Sequence, residues 1–166
     1  MSGTHTFTFT RAHTATFASD AMRNVLRDVI RSVGLDPTDL VSGWTRNGLA
    51  ARTWLKSGDL RMLVLEFYAP GSTKVEARVD LPVAYDGSGV DDDMWVDRDH
   101  IRRSIAKIGK LPAGCRYDVI FSVVPGAPPV DGFTDTTFRN TSGLAKRSAG
   151  SVIVTPDIVA GLQYWK

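Results

Sequence analysis

Cysteine, histidine and long apolar runs are all scarce in this chain. A single cysteine, Cys115, among 166 residues excludes an intramolecular disulfide and a cysteine-rich metal site. It suits a reducing compartment, so a cytoplasmic location is expected. No run reaches the ~18 apolar residues that cross a bilayer, and the polar, alternating start MSGTHTFTFT does not read as a signal peptide. Charge of one sign is missing too. Twenty Lys and Arg against 18 Asp and Glu leave a net charge of +2, little of the basic footprint that a nucleic-acid binder shows.

Motifs that carry chemistry are equally thin. There is no phosphate-cradling GxxxxGK(S/T) loop, no GxGxxG after a strand and no GxSxG elbow. Histidine is limited to His5, His13 and His100, so a nucleophile–histidine pair would have to be assembled by the fold around one of them. The acidic run Asp91, Asp92, Asp93 lacks the glycine and the later glutamate of a calcium loop and reads as a solvated loop. Arg23, Arg27 and Arg31, one helical turn apart, form a basic stripe to which Arg98, Arg102, Arg103 and Lys107 could add. Interleaved Asp20, Asp28, Asp97 and Asp99 make this a face of mixed charge. No catalytic residue, metal site or cofactor is expected, and the chain is not expected to be an enzyme.

What is present is a patterned α/β core. Thr4–Thr10 alternates with period two and predicts a strand with Phe7 and Phe9 on one face. From Phe17 to Val33 apolar residues recur at three and four, predicting a helix capped by Thr14 or Thr16 and closed by Gly34. Trp44–Ser57 predicts a second helix, closed by Gly58 and burying Leu49, Ala50, Trp54 and Leu55. Leu60–Tyr68 and Lys74–Tyr85 flank the turn Pro70-Gly71-Ser72 and predict an antiparallel hairpin. Asp97 is placed to cap a third helix through Ile101, Ile105 and Ile108, and Arg116–Val124 predicts a further strand. Strands and helices do not alternate regularly, so an α+β fold, an antiparallel sheet packed against three helices, is preferred over a doubly wound one.

The segment Pro125–Lys166 stands apart. It has no amphipathic helix, yet it keeps returning to large apolar residues, Phe133, Phe138, Leu144, Ile153, Ile158, Leu162, Tyr164 and Trp165 among them. It is too apolar for disorder. Its composition predicts a wrapping segment of short strands and turns, able to hold a partner. Trp165, the second-last residue, implies an end fastened to the core rather than frayed.

The element order, this wrapping segment and the stretches HTATFASDAMRNVLRDVIRSVGLDP, ARTWLKSGDLRMLVLEFY, PGAPPVDGFTDTTFRNTSG and GLQYWK together resemble the HORMA domain, and more narrowly the bacterial HORMA proteins of CBASS anti-phage operons. The resemblance spans nearly the whole chain. It implies one domain over residues 1–166, with a core of about 1–124 and a C-terminal safety belt of about 125–166. It further implies that the belt closes around a closure-motif peptide supplied by another protein, which adds a strand to the sheet. The closed chain would then bind and activate a CD-NTase, a cyclic-oligonucleotide synthase, and an AAA+ remodelling ATPase would reopen it by engaging the N-terminus.

On this reading Val119, Phe121, Phe133, Phe138, Tyr164 and Trp165 are the candidate peptide-binding residues, on the belt and the sheet edge. Thr4, Thr6, Phe7, Thr8 and Phe9 are the candidate ATPase-engaged residues. Deleting Val152–Lys166 is expected to abolish partner binding and leave the core folded. Two other readings stay open: a chromosome- or nucleic-acid-associated adaptor, if the two arginine faces merge, and a small enzyme with scattered catalytic groups.

Overall fold

The computed structural model describes residues 10–85 and 94–166. The expected N-terminal strand and the acidic run Asp91–Asp93 lie outside the described residues, except for Thr10. Among the described residues the order is α1 (Arg11–Ser32), α2 (Thr38–Ser57), β1 (Leu60–Tyr68), β2 (Val75–Ala84), β3 (Trp95–Val96), α3 (Arg98–Ala106), β4 (Arg116–Val123), β5 (Lys146–Val154) and β6 (Val159–Trp165). The six strands form one sheet in the order β3-β5-β6-β2-β1-β4, and every pairing is antiparallel.

The apolar periodicity placed α1, but its start lies earlier than expected. Thr10 is the cap, accepting the His13 N–H at 3.4 Å, and Thr14 lies buried inside the helix. Helix α2 also starts earlier, at Thr38, because Leu40 and Trp44 continue its buried stripe one turn back. The Asp36 carboxylate accepts the Thr38 N–H at 2.9 Å and its hydroxyl at 2.6 Å; these bonds hold the carboxyl below its usual range. Leu49, expected inside, is 54% exposed. Gly58 ends α2 at φ +79°, the left-handed geometry in which glycine is the least strained residue. Asp97 caps α3 as expected, accepting the His100 N–H at 3.1 Å.

One core joins all the elements. Met22, Leu26 and Ile30 of α1, Trp54 and Leu55 of α2, and Ile101 and Ile105 of α3 meet Leu63, Leu65 and Phe67 of β1 and Val79 and Leu81 of β2. Val152, Ile153, Ile158, Ala160, Leu162 and Tyr164 belong to the same cluster. The last third is therefore irregular only between β4 and β5. Its second half is a hairpin whose inner strand, β6, alternates in burial with period two and pairs with β2 from Arg78↔Trp165 to Ala84↔Val159. This corrects the expectation for the Val152–Lys166 deletion: removing those residues strips β2 of its neighbour and opens the core. Among the described residues no helix is long and apolar enough to cross a membrane.

Leu65, fully buried in a central strand, tests the packing. Leu65→Ala is expected to lower stability by about 3 kcal/mol in urea denaturation; a loss within error of zero would show that the core is not packed as described.

Candidate functional site

The site is built on an edge. Among the described residues β4 pairs with β1 alone, so within that set its other side offers main-chain donors and acceptors with no strand to take them, a feature that folded proteins cover or use. Tyr117, Val119 and Phe121 stand opposite Phe67, Leu65 and Leu63 and therefore share the helix-facing side of the sheet. Asp118 and Ile120 stand opposite Glu66 and Val64, on the other side.

The chain leaving β4 passes around this edge. Val124 donates to the Asp59 carbonyl at 2.9 Å, and the Trp54 indole N–H donates to the Pro128 carbonyl at 2.8 Å. Phe133 then completes an aromatic cluster on the helix side, with ring centroids 5.7 Å from Trp54 and 5.4 Å from Phe121. Six residues later Arg139 is on the opposite side. Its main-chain N–H and its Nη1 donate to Glu66 at 2.8 and 3.0 Å, and Nη1 also donates to Asp118 at 2.9 Å. The guanidinium lies 3.5 Å from the Tyr68 ring centroid. Asn140 is fastened to the β1–β2 turn by bonds with Thr73 and Val75. Between β4 and the crossing chain is a cavity of about 630 Å³ bordered by Asp118, Val119, Ile120 and residues 136–139, a volume within the range of ligand pockets.

Glu66 explains the crossing. Among the described residues it is the one charged side chain buried without exposure, and a carboxylate removed from water requires a cation and hydrogen bonds. Arg139 supplies both. Burial works against the Arg139 charge, but the bonds it donates to Asp118 and Glu66 outweigh it and hold its titration above the ordinary value. Burial, then the Asp118 charge, pushes the Tyr68 phenol up, and its hydroxyl donates to Asp118 at 3.1 Å.

The expected site residues divide into three groups. Phe121 and Phe133 cluster with Trp54 on the helix side of β4 without lining the cavity, which Val119 and Phe138 border. Phe138, 41% exposed, lies on the far face with the Arg78 guanidinium 4.4 Å from its ring centroid. Tyr164 and Trp165 do not line the cavity, because β2 and β1 separate β6 from β4. Tyr164 is core, opposite Val79, and Trp165 fastens the chain's end by donating to Asp80 at 3.1 Å. Thr4, Thr6, Phe7, Thr8 and Phe9 lie outside the described residues. Sequence reasoning missed Trp54 as a site residue, together with Glu66, Asp118 and Arg139. One signal was legible: Glu66 is a lone carboxylate in the middle of the apolar strand LRMLVLEFY. Among the described residues no three His, Cys, Asp or Glu side chains are grouped to hold a metal ion. His13 sits on α1 beside Thr10, and His100 on α3 bonds the Ala149 carbonyl.

The model of the family described as bacterial HORMA domain 2 matches residues 1–166. No curated protein matches the sequence. Among solved structures, a chain of the mitotic checkpoint complex is similar at 12% identity and a TM-score of 0.73, over 91% of this chain and 97% of that one. C. elegans HTP-2 bound to the HIM-3 closure motif is similar at 16% identity and 0.68, over 94% and 91%. A chain of the E. coli MS115-1 HORMA:CdnC:Trip13 complex is similar at 12% identity and 0.58, over 100% and 94%. At these identities the likeness establishes the fold: three helices on an antiparallel sheet whose C-terminal strands join it.

The Glu66–Arg139 pair gives a double-variant test. Arg139→Leu leaves a buried carboxylate unpaired and is expected to cost about 3 kcal/mol, whereas Glu66→Leu/Arg139→Leu should recover at least half of that loss in urea denaturation. A double variant as unstable as the sum of the singles would show that the two do not act as a pair.

Proposed function

The chain belongs to the bacterial HORMA domain 2 family, and we propose that it is a peptide-binding sensor. Residues of about 125–166 act as its belt, and an extended closure-motif peptide from another protein adds a strand to β4. In the closed, peptide-bound form the chain binds and activates a CD-NTase in anti-phage signalling, and an AAA+ remodelling ATPase resets it. The observation that carries this reading is the path of the chain around a strand edge left unpaired among the described residues, from Phe133 on one face to Arg139 on the other. Strand addition at such an edge draws affinity from main-chain hydrogen bonds and selectivity from side-chain pockets. On this reading Val119 and Phe138, which border the cavity, and the Phe121–Phe133 cluster behind it supply those pockets, while Tyr164 and Trp165 hold the belt's far end.

The energetics are compatible with a switch. Moving a population from 1:99 to 99:1 takes about 5.5 kcal/mol of differential affinity. Several main-chain bonds at ~1 kcal/mol each and one or two buried side chains at ~2 kcal/mol each reach that sum. The HTP-2 structure, with its bound closure motif, and the E. coli assembly of a HORMA protein with CdnC and Trip13 support the peptide and the two partner classes.

The proposed ATPase handle is Thr4, Thr6, Phe7, Thr8 and Phe9. Supporting it, Arg11 at the start of α1 forms an ion pair with Asp157 at 2.5 Å, and Asp157 lies in the turn of the β5–β6 hairpin. Arg11 also rests 5.4 Å from the Tyr85 ring centroid. Tension applied ahead of α1 therefore meets the fastening of the hairpin first.

Selection from a random peptide display library tests the binding reading. The wild-type chain is expected to enrich one short extended consensus, and Arg139→Leu should release that peptide roughly 100-fold faster, the equivalent of about 3 kcal/mol. Adding the peptide-loaded chain to a CD-NTase from the same genome should raise cyclic-oligonucleotide output. No enrichment by a folded chain would sink the proposal. Separately, Asp157→Ala is expected to speed ATPase-driven peptide release severalfold; an unchanged rate would remove the hairpin turn from the opening path.

A further inference from the structure

A second concave surface lies away from the β4 edge. Helices α1 and α3 flank a groove of about 630 Å³. Its floor is apolar, formed by Phe17, Val25, Val96, Ile101 and Ile105. Its rims are basic: Arg27 and Arg31 on α1, Arg98 and Arg102 on α3. The arginine stripe of α1 and that of α3 thus merge across one groove, the juxtaposition that the sequence left open. Two carboxylates, Asp20 and Asp28, also line it, so four cations face two anions. Asp28 is engaged by Arg27 at 3.3 Å, and Arg102 meets Asp99 at 3.6 Å. Arg31 and Arg98 are exposed, and among the described residues no carboxylate lies within ion-pair distance of either.

We propose that this groove docks an acidic amphipathic helix of a protein partner. Three features fix that chemistry. The half-buried Phe17 and Val96 give the floor apolar surface that an apolar stripe covers and a polynucleotide backbone does not. Each rim carries two arginines four residues apart, about 6 Å along its helix, the spacing at which Glu residues at i and i+4 of a helix present their carboxylates. Asp20 and Asp28 would repel a continuous line of phosphates, whereas discrete carboxylates can be set between them. The groove is also held in shape. β3, which delivers Val96, pairs with β5. The Asp97 N–H donates to the Val152 carbonyl at 2.9 Å, and His100 Nε2 lies 2.6 Å from the Ala149 carbonyl. α3 is thereby fixed to the hairpin rather than left to swing. The proposal does not depend on the peptide slot at β4.

The experiment selects a random peptide display library in parallel on the wild-type chain, on Arg31→Glu/Arg98→Glu and on Arg139→Leu, with anisotropy titrations of labelled hits at two salt concentrations. The expected result is a class of peptides with Glu or Asp flanking an apolar stripe. These should bind wild type and Arg139→Leu alike, at least tenfold more weakly to the double charge reversal, and more weakly at high salt. An extended class lost only in Arg139→Leu would belong to the β4 slot, so the two surfaces fail or succeed separately. The proposal is overturned if folded wild type enriches no acidic class or if the charge reversal binds it equally. A single-stranded DNA oligonucleotide that competes more strongly than the peptides would mark a nucleic-acid surface instead, and concentration-dependent dimers abolished by the charge reversal would mark a self-association surface.

Discussion

A carboxylate buried without exposure on the sheet face turned away from the helices is the constraint that organises the C-terminal third. Glu66 sits in the middle of β1, between two paired strands, where water does not reach it. Left alone it would cost several kcal/mol. Arg139 offsets that cost with a main-chain bond, a guanidinium bond and a link to Asp118. Because Arg139 follows β4 by a short irregular stretch, and because Phe133 is held on the helix side by Trp54 and Phe121, the chain between them must go around the open edge of β4. The slot beside that edge follows from these two fixed points.

The two halves of the segment after β4 differ in kind. Residues 124–145 touch the body through a few fastenings, and most of them are exposed or half-buried. Segments of that sort open locally at low cost. The β5–β6 hairpin is different: it completes the sheet against β2 and contributes buried side chains to the central core. A single word for the whole segment hides this division. The first half resembles a strap across a slot, and the second is part of the frame to which the strap is tied.

Much of the framework was legible because periodicity is a local signal. The apolar recurrence at three and four in α1, the alternation of Val75, Ala77, Val79 and Leu81, and the cap at Asp97 all correspond to observed elements. Boundaries were less so. The starts of α1 and α2 lie ahead of their expected positions, since caps and first turns need no apolar residue to mark them. The site was legible only in part. Phe133 was singled out by its size and Phe121 by its place on the expected edge strand, and the fold brings their rings together. Arg139 and Asp118 are ordinary surface residue types whose role exists only because the fold brings them to Glu66, a contact between residues 73 apart. Tyr164 and Trp165 were grouped with the slot for the same reason that Phe133 was, their aromatic bulk near the chain's end. Sequence alone does not say that two strands intervene.

The division of the segment bears on how a peptide would enter and leave. Freeing residues 128–139 breaks the Glu66–Arg139 pair, the Trp54–Pro128 bond and the Phe133 ring contacts. These sum to about 5 kcal/mol from ~3 for the pair and ~1 each for the others. Thermal opening at that cost is accessible, so the strap can loosen while the hairpin stays in place. Detaching the hairpin would expose Val152, Ile153, Ile158, Leu162 and Tyr164 as well as β2, on the order of 10 kcal/mol at ~2 per side chain. It would also release α3 through Val152 and Ala149, and α1 through Asp157. On the proposed reading that second event is the one that needs an ATPase. The ion pair from Arg11 to the hairpin turn, one residue into α1, ties the first described residues to the element whose removal is costly.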